Sequence, residues 1–134
     1  MEKTYHVQNS EKCFRFKPEA FCNHAPKNKG IYELVTFDAE QKPQVLYVGA
    51  AFEKGILESL EAHAAGSLKP SSDEIFSKYP NLYFDYITRM DAKTKEDAQD
   101  IYWYLVQKHK PVYNDISNTQ HSGRYQTINV IEEE

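Results

Sequence analysis

The sequence predicts an α+β domain: a small three-stranded antiparallel sheet flanked by helices, with an N-terminal extension. Two segments rich in β-branched and aromatic residues, 31–37 and 44–48, flank a polar turn and predict a β-hairpin. A third segment, 82–90, alternates apolar and polar residues and predicts the remaining strand. Two amphipathic segments, at 53–65 and 94–110, predict the helices that cover the sheet.

Length and composition bound the class of protein. A chain of 134 residues that is 40% hydrophobic and 27% charged has room for one packed domain. No apolar run approaches the roughly 18 residues that span a bilayer, and residues 1–6 lack the apolar stretch of a signal peptide. We therefore expect a single cytoplasmic domain that has no membrane partner.

The two cysteines do not indicate a metal site. Cys13 and Cys22 match no zinc-ligand spacing, so we assign no metal ligand to the chain. A disulfide between them is one alternative. Reduced thiols are the favoured alternative, because cytoplasmic proteins rarely keep disulfides.

The net charge of −4 argues against a generally basic surface. Proteins bind DNA largely by neutralising phosphates with Lys and Arg, so a nuclease usually has such a surface. Residues 1–30 are an exception, with six basic side chains against three acidic ones. This segment is either a weak phosphate-facing arm or, as is more usual, a solvated surface.

The first half of the chain contains the less regular elements. Residues 1–25 predict an extension packed on the domain, with a short strand at 13–17 and a helical turn that begins at Pro18. The helix at 53–65 ends at Gly66, since glycine accepts the left-handed conformation that closes many helices. Ser72 suits the N-cap of a short helix that follows.

The second half begins with the most regular helix. Residues 94–110 start with a capping box formed by Thr94 and Asp97, with Asp in place of the usual Glu or Gln. Residues 116–134 are mostly polar and predict a tail with one possible edge strand at 128–131.

Two tripeptides mark the predicted hairpin, Gly30-Ile31-Tyr32 and Tyr47-Val48-Gly49. Each is common by chance, but here they are followed by helix, strand, helix and then Pro111-Val112-Tyr113-Asn114. Over residues 26–115 the chain resembles the GIY-YIG nuclease domain. In active members of that family, the resemblance implies phosphodiester hydrolysis assisted by one divalent ion such as Mg²⁺ or Mn²⁺.

The resemblance also implies a cleft. Tyr32 would act as a base or orient a water molecule, and Tyr47 would be a second phenol in the cleft. Gly49 would let the backbone approach the substrate, and Asn114 would support the site. His63 matches an assisting residue if two extra residues are allowed before the helix.

Each of these residues also has a structural interpretation. Tyr32 and Tyr47 could be cross-strand aromatic partners that stabilise the sheet. His63 near a helix C-terminus interacts favourably with the helix dipole whatever its function. Asn114 could close a turn through its side chain.

In active members of the family, the resemblance implies an arginine on the helix after the hairpin that stabilises the charge on the phosphate, and this chain has no match for it. No arginine lies between Arg15 and Arg89, and the matching position is Ser59 or, without the insertion, Leu57. Lys54 is the only cation on or near this helix, and we assign it to substrate binding. Lysine is a poor substitute where a planar guanidinium is needed.

The resemblance also implies a glutamate on the last helix that binds the metal ion in active members, and this chain has no match for it. Its position falls on Tyr102, and the nearest acids, Asp97 and Asp100, lie on other faces of the helix. Losing both the cation and the metal ligand should cost several orders of magnitude in rate.

We therefore predict a GIY-YIG-like domain that has lost efficient hydrolysis and serves as a binding or scaffold module without a cofactor. Its partner would be a protein or, less readily given the charge, a nucleic acid. The alternative is an active metal-dependent DNA endonuclease with a rearranged site, in which Lys54 or the N-terminal arm replaces the arginine.

Overall fold

The computed structural model describes residues 1–10 and 12–133. Its strands are β1 (Glu2–Asn9), β2 (Phe14–Arg15), β3 (Gly30–Phe37), β4 (Pro43–Ala51), β5 (Tyr83–Met90) and β6 (Thr127–Glu133). Its helices are α1 (Pro18–His24), α2 (Ile56–Ala65), α3 (Ser72–Phe76) and α4 (Lys95–His109), followed by a 3₁₀ turn, Ile116–Asn118.

All six strands join one mixed sheet that curls into a half-barrel. The order is β4-β3-β5-β1-β6, with the short β2 also paired to β5. β1 and β6 run parallel, and the other pairs are antiparallel. β3 lies between β4 and β5, so its backbone is paired along both edges.

The expected three-stranded antiparallel sheet is wrong, because the described residues form six strands and include a parallel pair. The largest difference comes from β1, which belongs to the predicted N-terminal extension. Only Tyr5 and Val7 are buried in β1. Its partner β6 lies at the other end of the chain, with Glu2 opposite Thr127, so no local turn marks the pairing.

Helices cover both faces of the sheet, which gives two apolar clusters. On one face α1, α2 and α3 pack over a cluster that includes Phe21, Tyr32, Leu34, Leu60 and Phe84. On the other face α4 packs over a cluster that includes Tyr5, Ile31, Ile87, Ile101 and Leu105. Successive residues of a strand point to opposite faces, so Tyr32 faces α2 and its neighbours on β3 face α4.

The helix ends follow the local signals closely. The capping box at α4 is confirmed, since Thr94 and Asp97 each accept a hydrogen bond from the other's backbone N–H. α2 ends at Gly66, whose φ of 82° is left-handed. The N-cap of α3 is Ser71 rather than the predicted Ser72. Among the helices of the described residues, none combines the length and apolar character that crossing a bilayer requires.

Candidate functional site

The sheet and α2 bring Tyr32 and His63 into direct contact. The Tyr32 hydroxyl lies 2.6 Å from His63 Nε2, and His63 Nδ1 lies 2.8 Å from the carbonyl oxygen of Pro70. Because a carbonyl can only accept, Nδ1 carries the proton of a neutral imidazole. Nε2 therefore accepts, and the phenol of Tyr32 donates.

The Tyr32–His63 pair is closed to solvent. Tyr32 is 1% exposed and His63 is fully buried. Burial raises the pKa of the Tyr32 phenol well above its usual value. Burial also lowers the pKa of His63, although the hydrogen bond to Pro70 opposes that shift. Both groups are therefore neutral near pH 7, and a substrate cannot reach them unless the packing opens.

Tyr47 lies against this pair, and its phenol interacts with the phenol of Tyr32. Its ring centroid is 5.3 Å from that of His63 in an edge-on arrangement and 6.1 Å from that of Tyr32. The side chain is half-buried, and burial raises the pKa of its phenol. Tyr47 thus forms the outer side of an aromatic cluster whose inner members are Tyr32 and His63.

Gly49 is the cross-strand partner of Tyr32 and makes room for its ring. A Cβ at this position would lie 2.0 Å from Tyr32 Cζ and 2.4 Å from the hydroxyl oxygen. No side chain fits at that distance. The glycine is therefore required by the packing of the protein itself, before any approach to a substrate is considered.

Asn114 binds the backbone of β4. Its Oδ1 accepts from Val48 N at 2.7 Å, and its Nδ2 donates to Val48 O at 2.9 Å. The backbone N–H of the preceding Tyr113 donates to Leu46 O at 2.9 Å. The segment after α4 therefore covers part of the outer edge of β4, which would otherwise be an exposed strand edge.

Tyr102, which the resemblance aligns with a metal-binding glutamate, is part of the same network. Its hydroxyl donates to Val48 O at 3.0 Å and accepts from Asn114 Nδ2 at 3.1 Å. Burial raises the pKa of Tyr102 to about 12, so the phenol stays protonated. Tyr102 thus supports β4 through hydrogen bonds.

The position expected for the arginine lies in an open groove beside the cluster. The groove has a volume of about 550 Å³, and its walls come from the end of β4, α2 and the turn that follows, including Phe52, Lys54, Glu58, Ser59 and Leu68. Ser59 donates to the carbonyl oxygen of Gly55, the N-cap residue of α2, at 2.8 Å. Among the described lining residues, Lys54 is the single cation and Glu53 and Glu58 are acids. The lining includes neither Tyr32 nor His63.

The acids nearest to Tyr102 have partners within the protein. Arg124 Nη2 lies 2.8 Å from Asp97 Oδ1 and 3.2 Å from Asp100 Oδ2. Asp100 also accepts two hydrogen bonds from Ser122, and Tyr5 donates to Asp97. Burial alone would raise the pKa of Asp97, but hydrogen bonds from Arg124, from Tyr5 and from the backbone N–H groups just before α4 hold it well below its usual range. These acids fasten the C-terminal segment to α4.

The sequence did not reveal Arg124 or a second buried cluster. Glu33, His109 and Glu132 each offer a ligand atom, and the three atoms lie within 4.8 Å of one another. Asp85 is the cross-strand partner of Glu33, and burial raises the pKa of both carboxyl groups. The sequence signal that could have revealed this cluster is the alternation of residues along β3 and β5. It places Glu33 and Asp85 on the same face of the sheet, the face that α4 covers.

Comparisons with known proteins do not identify a function for this chain. No family model, curated protein or solved structure matches the chain. The likeness to GIY-YIG nucleases therefore rests on the motif residues alone and stays a proposal.

Proposed function

We propose that the protein is a binding domain related to the GIY-YIG nucleases, that it does not hydrolyse phosphodiesters efficiently, and that its partner is a protein. The observation that carries the proposal is the closed Tyr32–His63 hydrogen bond, in which both side chains are buried and neutral. A base or a water-orienting group must reach the reacting atoms, and this pair instead binds to itself and to Pro70.

The groove next to the aromatic cluster lacks the charge that phosphoryl chemistry requires. Hydrolysis of a phosphodiester depends on preorganised positive charge where the transition state becomes more negative. Ser59 stands at the arginine position and donates to the carbonyl oxygen of Gly55, while Lys54 is exposed at the rim. The lysine ammonium group is flexible and strongly hydrated. It cannot present the rigid, planar pair of N–H donors that a guanidinium offers to a phosphate.

The hydrogen bonds around Val48 support a structural role for Asn114 and Tyr102, two residues that the resemblance aligns with the nuclease site. Asn114 and Tyr102 both bind the backbone of Val48, and Tyr102 has a phenol where a hard cation would need a carboxylate. Together with Gly49, these residues maintain the hairpin and its edge. The motif persists in this proposal because the fold needs it.

The charge of α2 favours a protein over a nucleic acid as the partner. Glu58 and Glu61 are exposed on this helix, and Glu53 lies in the groove beside Lys54. Acids on this surface repel a phosphate backbone. Phe52 adds half-buried apolar surface, and a groove that mixes apolar and charged groups suits a peptide segment or a protein surface.

Binding of a fluorescent DNA duplex, followed by anisotropy against salt concentration, tests the choice of partner. We expect no binding by the wild type at physiological salt. The Glu58→Lys/Glu61→Lys variant should bind weakly and lose that binding as salt rises, because its affinity comes from counterion release. Tight, salt-dependent binding by the wild type would contradict the proposal.

Site-specific photo-cross-linking tests the protein partner directly. A photoreactive amino acid replaces Glu58 in the groove or, as the matched control, Glu40 in the exposed tip of the β3–β4 hairpin. We expect one discrete protein adduct from the groove position and none from the tip. The same adducts from both positions, or none from the groove, would contradict a partner bound at this surface.

A further inference from the structure

Four titratable side chains from four elements meet beneath the C-terminal end of α4. Glu33 comes from β3, Asp85 from β5, His109 from the last turn of α4 and Glu132 from β6. Glu33 and Asp85 lie directly opposite each other in the sheet. Lys108 Nζ binds Glu132 Oε2 at 3.0 Å. The cluster thus lies between the last turn of α4 and the three strands β3, β5 and β6.

Two atoms at the centre of this cluster approach each other without a well-formed hydrogen bond between them. Glu33 Oε2 and His109 Nε2 are 3.3 Å apart, while the Glu33 and Asp85 carboxyl groups share a side-chain hydrogen bond. The Glu33 side chain is only 5% exposed. Buried polar atoms are almost always paired, so the poorly paired Glu33 Oε2 and His109 Nε2 leave a place between them that a cation could fill.

We propose that Glu33, His109 and Glu132 bind a divalent transition-metal ion, with Zn²⁺ as the best fit. Asp85 adds negative charge next to Glu33. The metal would tie together β3, α4 and β6, so its role would be structural. This inference is independent of the proposed function, because Glu33 and Tyr32 point to opposite faces of the sheet.

The separations suit a small four-coordinate ion. Zn–N and Zn–O bonds of about 2.0–2.2 Å put neighbouring tetrahedral ligands about 3.3–3.6 Å apart. The Glu33–His109 distance of 3.3 Å falls in that range, and all three ligand atoms lie within 4.8 Å of one another. Three protein ligands leave a fourth position for water. The His109 and Glu132 side chains are 22% and 21% exposed, so the ion has a path from solvent.

The charge of the cluster suits a divalent ion. Glu33, Asp85 and Glu132 are acids, Lys108 is the facing cation, and a neutral His109 is the form that binds metals. With all three acids ionised, the net charge is −2, which one divalent ion neutralises. An imidazole ligand favours Zn²⁺, Co²⁺ or Ni²⁺ over Mg²⁺, which prefers oxygen ligands.

Calorimetric titration of the chelator-treated full-length protein with Zn²⁺ tests the inference. We expect about one ion per chain and a rise in Tm of roughly 10 °C at a free Zn²⁺ concentration 100-fold above Kd. Mg²⁺ should produce no comparable rise. Stoichiometry far below one, or equal shifts with Mg²⁺ and Zn²⁺, would overturn the proposal.

Two neighbouring glutamates on β6 provide a matched pair of variants. Glu132→Gln should weaken Zn²⁺ binding by roughly 100-fold or more, since even residues that only support a ligand are worth 10- to 100-fold. Glu133→Gln should bind like the wild type, because Glu133 is exposed and pairs with His6. Equal affinities in the two variants would overturn the assignment of Glu132.

The visible absorption of bound Co²⁺ reports on the metal ligands themselves, and a general loss of stability does not produce the same change. Co²⁺ in a tetrahedral site of mixed nitrogen and oxygen ligands absorbs visible light much more strongly than hydrated Co²⁺. The wild type should show this band, and His109→Gln should lose it while keeping the far-UV circular dichroism of the metal-free wild type. If His109→Gln does not fold, the wild-type spectrum still decides, since a spectrum of hydrated Co²⁺ alone would contradict the site.

Discussion

Replacing Gly49 with alanine tests whether the tripeptide glycine is required by internal packing. The added Cβ would lie 2.0 Å from Tyr32 Cζ, 2.4 Å from Cε1 and 2.4 Å from the hydroxyl oxygen. Tyr32 has no room to yield, because its ring is buried and its hydroxyl is bonded to His63. The ring must therefore leave its position or the hairpin must separate.

The expected cost has two parts. Overpacking a close-packed core costs about 1–3 kcal/mol. Displacing Tyr32 also leaves His63 Nε2 buried without a partner, which costs about 1–3 kcal/mol more. We expect Gly49→Ala to lower the free energy of unfolding by about 2–6 kcal/mol, a large share of the roughly 5–15 kcal/mol that holds a domain folded.

Urea denaturation followed by circular dichroism measures this cost. Gly66→Ala is the matched control, since its Cβ would meet nothing within 4 Å and only its left-handed φ of 82° opposes the change. That control should cost about 1–2 kcal/mol, the penalty for a Cβ in the left-handed region. In a Tyr32→Leu background the atoms that clash are gone, so Gly49→Ala should then cost close to nothing. A cost no larger than that of Gly66→Ala, or an equal cost in both backgrounds, would refute the steric argument.

Two further predictions concern the segment after α4. Asn114→Ala should lower the free energy of unfolding by about 2 kcal/mol, because it leaves the N–H of Val48 unpaired, whereas Asn118→Ala in the exposed 3₁₀ turn should change the urea midpoint little. Equal effects of the two variants would contradict this. Arg124→Ala should lower the urea midpoint at pH 7, and its difference from the wild type should shrink below about pH 4. The sign follows from Asp97, whose pKa is depressed in the folded state, so that its stabilisation is present above the unfolded pKa and is lost as pH falls. A difference that is constant or grows in acid would contradict the assigned ion pair.

The sequence predicted those parts of the fold that local signals determine. The hairpin follows from two β-rich segments around a polar turn, and α4 follows from its periodicity and from the capping box of Thr94 and Asp97. The candidate residues Tyr32, Tyr47 and His63 do come together, since the register of the hairpin and the face of α2 are both encoded locally.

The remaining features depend on contacts between distant parts of the chain. β1 contains only two buried apolar residues and pairs in parallel with β6, for which a sequence has no turn signal. Arg124 reaches Asp97 and Asp100 from a segment without regular structure, so its role could not be seen in a periodic pattern. The family likeness suggested a substrate approach at Gly49, whereas the packing of Tyr32 already accounts for that glycine.

Nicking of supercoiled plasmid DNA by the purified protein tests the proposed absence of efficient phosphodiester hydrolysis most directly. The wild type and the Tyr32→Phe variant are compared in Mg²⁺ and in Mn²⁺, since the variant removes only the hydroxyl that binds His63. We expect no metal-dependent nicking by either protein. Nicking by the wild type that Tyr32→Phe abolishes would contradict the closed pair and show that the site opens to cut DNA.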